Sequence, residues 1–243
     1  MRRLLKAVGI FAAVTVAGVI GLGLWLYFYT ADLPPTTELN EFNPVSQTRT
    51  QLHSCDEVNQ EITVVPKEKL GPYTVAALTA AEGRPRTQSP FIVSLFFPPA
   101  DLHVATYQVR LAQTLVCTRH GSLLKRQLEE VRLANAISRK FGPQELLTIY
   151  LNRIYLGSGT YGIEGGTEKY FGKPASQLTL EETALLVAMI RSPRVYSPVS
   201  HPDSATQRRN LILDEMVVQG SVSPTDADHA KAIPIQVSCS NCR

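Results

Sequence analysis

Between Ala7 and Tyr29 the only ordinarily polar side chain is Thr15. At 1.5 Å of rise per residue, a helix of that length crosses a hydrocarbon layer of about 30 Å. The run is longer than the apolar core of a cleaved signal peptide, and no A-x-A-like site follows it. Trp25, Tyr27, Phe28 and Tyr29 form an aromatic belt at its end. The expectation is a single-pass anchor over 7–29. Arg2, Arg3 and Lys6 precede the run, so the positive-inside rule puts residues 1–6 in the cytoplasm. The chain from about Thr30 onward is then expected in the periplasm or an equivalent extracytoplasmic space, held to the cytoplasmic membrane.

The formal charge of +3 belongs entirely to those three N-terminal cations, because the 24 basic residues fall to 21 without them and match the 21 acidic ones. A neutral folded part argues against a nucleic-acid partner, which would demand a basic excess to displace condensed counterions. A hydrophobic fraction of 44% argues against disorder, and 243 residues fit one domain plus an appendage. The neutral sum is uneven along the chain. Residues 31–104 carry 5 basic and 9 acidic side chains, 105–155 carry 8 and 3, and 156–243 carry 8 and 9. The basic middle piece holds Arg110, Arg119, Lys125, Arg126, Arg132, Arg139, Lys140 and Arg153. Converged, these would hold an anion such as a phosphate at a bilayer surface; spread out, they are a solvated helix face.

Pro34 and Pro35 close the span, and a polar stalk over 30–66 includes the alternating Glu61 to Val65, readable as a short strand. A helix is expected from Tyr73 to Glu82, stopped by Gly83 and Pro85. Leu124, Leu128 and Val131 mark another helix. Pro143 starts a third, whose Leu147, Tyr150, Leu151 and Ile154 line a core face. Gly157, Gly159, Gly162, Gly165 and Gly166 are too irregular for a nucleotide-binding loop and read as a tight turn with close helix contacts. Thr179 and Glu182 form a capping box before an apolar run that Pro193 stops. A last helix runs from about Ser204 to Gln219, ending at Gly220. The fold class is mainly α, with a domain over 67–222 and a C-terminal tail over 223–243.

Cys55, Cys117, Cys239 and Cys242 suit an oxidising compartment and could pair in three ways. The five histidines lack metal-ligand spacing, and no G-x-S-x-G elbow is present. Glu129 lies four residues from Lys125 and three from Arg132, which makes it either a partner in helix-face ion pairs or one of two working carboxylates, with Glu82 as the other.

The runs Glu145-Leu-Leu-Thr-Ile-Tyr-Leu-Asn-Arg-Ile-Tyr-Leu-Gly157, Tyr161-Gly-Ile-Glu164, Lys169-Tyr-Phe-Gly-Lys173, Leu178 to Leu186 and Arg208-Arg-Asn-Leu-Ile-Leu213 resemble the family 51 glycosyltransferases. These are the peptidoglycan transglycosylase domains of bifunctional penicillin-binding proteins and of monofunctional transglycosylases. The resemblance implies a lysozyme-like helical domain with a small membrane-proximal lobe. It departs from the family pattern in the first half. Of the motif E-D-x-x-F-x-x-H-x-G only Glu82 survives, and in S-T-I-T-Q-Q-L-A-K-N-L the glutamine pair becomes Val109-Arg110 while Gln113 replaces the lysine. R-K-x-x-E is kept in charge as Lys125-Arg-Gln-Leu-Glu129.

Residue by residue, the resemblance implies that Glu82 is the general base and that Glu129 supports the donor or holds a divalent Mg2+ or Mn2+. Arg110, Arg119, Lys125 and Arg126 would offset a leaving pyrophosphate, and Thr106 and Asn152 would contact substrate. The implied partners are lipid II, the growing glycan strand, the membrane and other cell-wall synthesis proteins. Two functions stay open. One is polymerisation of lipid II with release of polyprenyl pyrophosphate. The other is a weak or inactive relative that binds lipid II, glycan or a synthesis partner, which Gly83, Val109 and Gln113 favour.

Overall fold

The computed structural model describes residues 15–25, 49–53, 59–82, 110–111, 133–134, 136–137 and 140–238. Residues 15–25 are helical, and all but the half-buried Gly23 are exposed, Val16, Val19, Ile20, Leu22, Leu24 and Trp25 included. No helix among the described residues is long and apolar enough to cross a membrane. Strands β1 (Arg49–His53) and β2 (Asn59–Thr63) form an antiparallel hairpin in which Arg49 faces Thr63 and His53 faces Asn59. The strand expected at 61–65 therefore begins and ends two residues earlier, and β1 is its unexpected partner.

The domain beyond is helical: α1 (Thr74–Glu82), α2 (Pro143–Arg153), α3 (Ile163–Phe171), α4 (Leu180–Ile190), α5 (Pro202–Val218) and α6 (Pro224–Ala232). Their ends follow local chemistry. Pro143 starts α2 where its missing N–H costs nothing. Thr179 and Glu182 close the capping box of α4, with the Thr179 N–H donating to Glu182 Oε2 at 2.9 Å. Burial by itself would raise the Glu182 pKa, but Lys173 and the Thr179 donors outweigh it and hold the carboxyl below its ordinary value.

Two helices form the centre. In α4 every residue from Thr183 to Met189 is buried, and in α2 the buried set from Leu146 to Arg153 covers the whole circumference. A helix apolar on nearly all sides belongs inside a domain, so α2 is more central than the one-sided stripe of its sequence suggests. Helix α5 packs on α4, α1 and α6, and α1 packs on α4. The segment expected as a C-terminal tail begins with α6, N-capped by Ser223 and started by Pro224. Arg209, 2% exposed, ties the end of α6 to α5 by donating to the carbonyls of Lys231 and Ile233. Beyond them the Ser238 N–H donates to the Tyr170 carbonyl.

The glycine-rich loop makes the close contacts its composition suggests. A Cβ on Gly166 would stand 2.3 Å from Leu156 Cδ1, so a side chain there would force the buried Leu156 to repack. Gly162, the N-cap of α3, has φ +77° and would place a Cβ 2.9 Å from the Asn152 carbonyl oxygen. Gly162→Ala is expected to cost about 2 kcal/mol through left-handed strain and that backbone contact, read as a lowered urea midpoint with an unchanged slope.

Candidate active site

Glu82 is the last residue of α1, where helix carbonyls already make the surroundings negative. Its side chain is only 7% exposed. Burial pushes its pKa above the ordinary carboxylate value, and Arg110, Arg208 and Arg191, in that order, pull it back in part. The net direction is upward, so this carboxyl holds a proton more readily than an ordinary one.

The three arginines come from separate parts of the chain. Arg110 reaches Glu82 beside Leu111, which is buried in the core, and its Nε lies 3.2 Å from Glu82 Oε2. That contact is an ion pair without a hydrogen bond, because Glu82 Oε2 has no hydrogen-bond donor among the described residues. Arg208 projects from α5, and its Nη2 donates to the Ala81 carbonyl at 3.2 Å, a cation closing the C-terminal end of α1. Arg191 is the exposed C-cap residue of α4. Burial first, and then repulsion by Arg191, holds the Arg208 pKa below its ordinary value. Three guanidiniums around one carboxylate leave a positive excess, and planar forks of N–H donors suit phosphate oxygens.

Among the sequence-derived site residues, the structure brings Glu82 and Arg110 together. Asn152 sits elsewhere and is 2% exposed. Its Oδ1 accepts from the Val65 N–H at 2.8 Å, and its Nδ2 donates to the carbonyls of Val65 at 2.9 Å and Thr148 at 2.8 Å. The amide is fully engaged by backbone, which makes Asn152 a clamp between the segment entering the domain and α2. Thr106, Arg119, Lys125, Arg126 and Glu129 lie outside the described residues, as do Cys55, Cys117, Cys239 and Cys242. Arg191 and Arg208 were not among the residues read as functional, although Arg208 stands in one of the quoted motif runs.

A divalent ion would find one described carboxylate here, ringed by Arg110, Arg191 and Arg208. No group of three or more acidic, histidine or cysteine side chains among the described residues could hold a metal. This half of the site fits an anion and does not fit a metal.

Residues 105–217 match the family model described as Transglycosylase. Penicillin-binding protein 1A of Aquifex aeolicus (strain VF5) is 41% identical over 137 residues, covering 56% of this chain and 19% of that protein. Penicillin-binding protein 2a of Streptococcus pneumoniae serotype 2 is 26% identical over 229 residues, 88% of this chain and 31% of that protein. A crystal structure of penicillin-binding protein 1A from Haemophilus influenzae aligns with 58% of this chain and 18% of its own at 24% identity, with a TM-score of 0.37. The chain thus spans about a fifth to a third of these relatives.

Proposed function

Because residues 105–217 carry a family 51 transglycosylase domain, we propose that this chain is a membrane-anchored peptidoglycan glycosyltransferase. In this reading it polymerises lipid II at the outer face of the cytoplasmic membrane. The acceptor's sugar hydroxyl attacks the anomeric carbon of the lipid-linked donor, a glycosidic bond forms, and polyprenyl pyrophosphate leaves. Glu82 takes the hydroxyl proton as the bond forms. Arg191 and Arg208 offset the negative charge that grows on the pyrophosphate, joined by Arg110, Arg119, Lys125 and Arg126. Glu129 supports the donor, and a divalent ion held there would supply further charge for the phosphates; the reading assigns no step to it.

The observation that carries this reading is the convergence on one buried carboxylate of three arginines from different parts of the chain. A base beside a cluster of cations is what a pyrophosphate leaving group and a hydroxyl nucleophile require together. The second reading, precursor binding without turnover, is favoured by one feature: Arg110 stands on the base itself at 3.2 Å. Polymerisation of purified lipid II by the full chain in detergent micelles separates the two. Glycan strands from the parent protein support the enzyme, whereas lipid II binding with no strands supports the binding protein. Arg208→Gln is expected to reduce polymerisation by roughly ten- to a hundredfold through lost charge stabilisation, with a smaller change in lipid II affinity.

A further inference from the structure

Of the three guanidiniums at Glu82, two differ sharply in how they are held. Arg208 is half-buried and fixed by its hydrogen bond to the Ala81 carbonyl. The Arg110 side chain is 33% exposed, and among the described residues its only ion pair is with Glu82. That pair is not a bidentate fork. Its single close approach is through Nε at 3.2 Å, with no hydrogen bond made to the buried Oε2. A guanidinium held so loosely keeps its remaining N–H groups for another acceptor, and a pyrophosphate offers more charge and more oxygens than one carboxylate.

We propose that Arg110 is a latch on the base: it pairs with Glu82 while the site is empty and transfers to the pyrophosphate of an arriving donor, freeing Glu82 for the acceptor hydroxyl. The inference rests on the glycosyltransferase reading for the identity of the anion, and it turns Arg110 from a simple phosphate contact into a positioning residue. Among the described residues, the charged groups that act on Glu82 are all cationic: Arg110, Arg208 from α5 and Arg191 at the end of α4. Moving one of them onto phosphate weakens the hold on the ionised carboxylate and makes it a stronger base. Donor binding and base strength are then coupled, so that a water or stray hydroxyl meets a weaker base when no donor is present.

The test is titration of the Glu82 carboxyl by 13C NMR on the full chain in micelles, with the resonance assigned by its loss in Glu82→Gln and with inorganic pyrophosphate as the probe. In the parent, saturating pyrophosphate is expected to move the Glu82 midpoint up by about one pH unit. In Arg110→Gln the midpoint starts that much higher, and pyrophosphate moves it by less than half as far. Arg110→Lys, which keeps the charge without the fork, is expected to restore the parent's midpoint in the absence of pyrophosphate. Unchanged thermal melting of both variants shows that the fold is kept. The latch is overturned if Arg110→Gln leaves the midpoint at the parent value. It is equally overturned if pyrophosphate moves parent and variant alike or moves neither. These readouts need no turnover, so a chain that shows the coupling but makes no glycan from lipid II refutes the glycosyltransferase reading and leaves the latch standing.

Discussion

Glu82→Gln is expected to lower glycan polymerisation from lipid II by about a hundred- to ten-thousandfold, the usual contribution of a positioned base. The protein should at the same time become more stable near neutral pH. Burial makes the Glu82 carboxyl easier to protonate in the folded chain than in the unfolded one, in spite of three nearby arginines. Between the ordinary carboxylate pKa and the raised one the folded state binds more protons, so stability falls as pH rises through that window. Glutamine removes the cost of keeping the buried charge. The variant should therefore melt higher than the parent at pH 7, and the difference should vanish at a pH below both values. The same raised pKa places the acid limb of kcat/KM above the ordinary carboxylate range, with activity lost as pH falls through it. Scanning calorimetry at the two pH values and a pH–rate profile check these expectations together. Full turnover in Glu82→Gln sinks the base assignment, and a lower melting temperature at pH 7 sinks the account of its environment.

The parts of this structure that are legible in the sequence are those fixed by chemistry within a few residues. The start of α2 at Pro143 and the capping box of α4 depend on groups adjacent along the chain. The start of α6 was equally local, since Ser223, Pro224 and Asp226 repeat the cap-and-proline signal. The helix itself carries almost no apolar period, because only Ala227 and Ala230 of α6 are buried. The candidate site was legible at its carboxylate and at Arg110, both through motif position. Its other two cations were not, because no local rule brings Arg191 and Arg208 to the end of α1; the packing of α4 and α5 on α1 does that. Charge counting also pointed away from them. The basic excess lies over 105–155, whereas Arg191 and Arg208 belong to a stretch with 8 basic and 9 acidic residues. A balanced stretch can still supply two cations to one carboxylate, because a sum along the sequence ignores where packing brings each side chain.

Asn152→Ala tests the other residue whose role the fold redefines, and it should be among the most destabilising single changes in the domain. The amide makes three buried hydrogen bonds, two of them to the N–H and carbonyl of Val65, 87 residues away in sequence. Truncation leaves that N–H and carbonyl buried without partners, at about 1–3 kcal/mol each. The expected loss is about 3–5 kcal/mol, equivalent to a melting temperature lower by roughly 10 °C for a domain of this size. Asn152→Asp should do nearly as much harm. A carboxylate can still accept from the Val65 N–H, but its other oxygen then faces the carbonyls of Val65 and Thr148, which an amide nitrogen now satisfies. The effect should not add fully to that of Gly162→Ala, because that Cβ presses on the carbonyl oxygen of Asn152 itself. A substrate contact would behave in the opposite way, leaving melting unchanged and weakening lipid II binding. Urea and thermal melts of the two Asn152 variants beside a lipid II binding isotherm decide between a clamp and a contact. A clamp also has a functional consequence. It fixes the residues that follow the β1–β2 hairpin to α2, so loosening it should free that segment from the helical core and raise hydrogen exchange at Val64 and Val65, both buried in the parent.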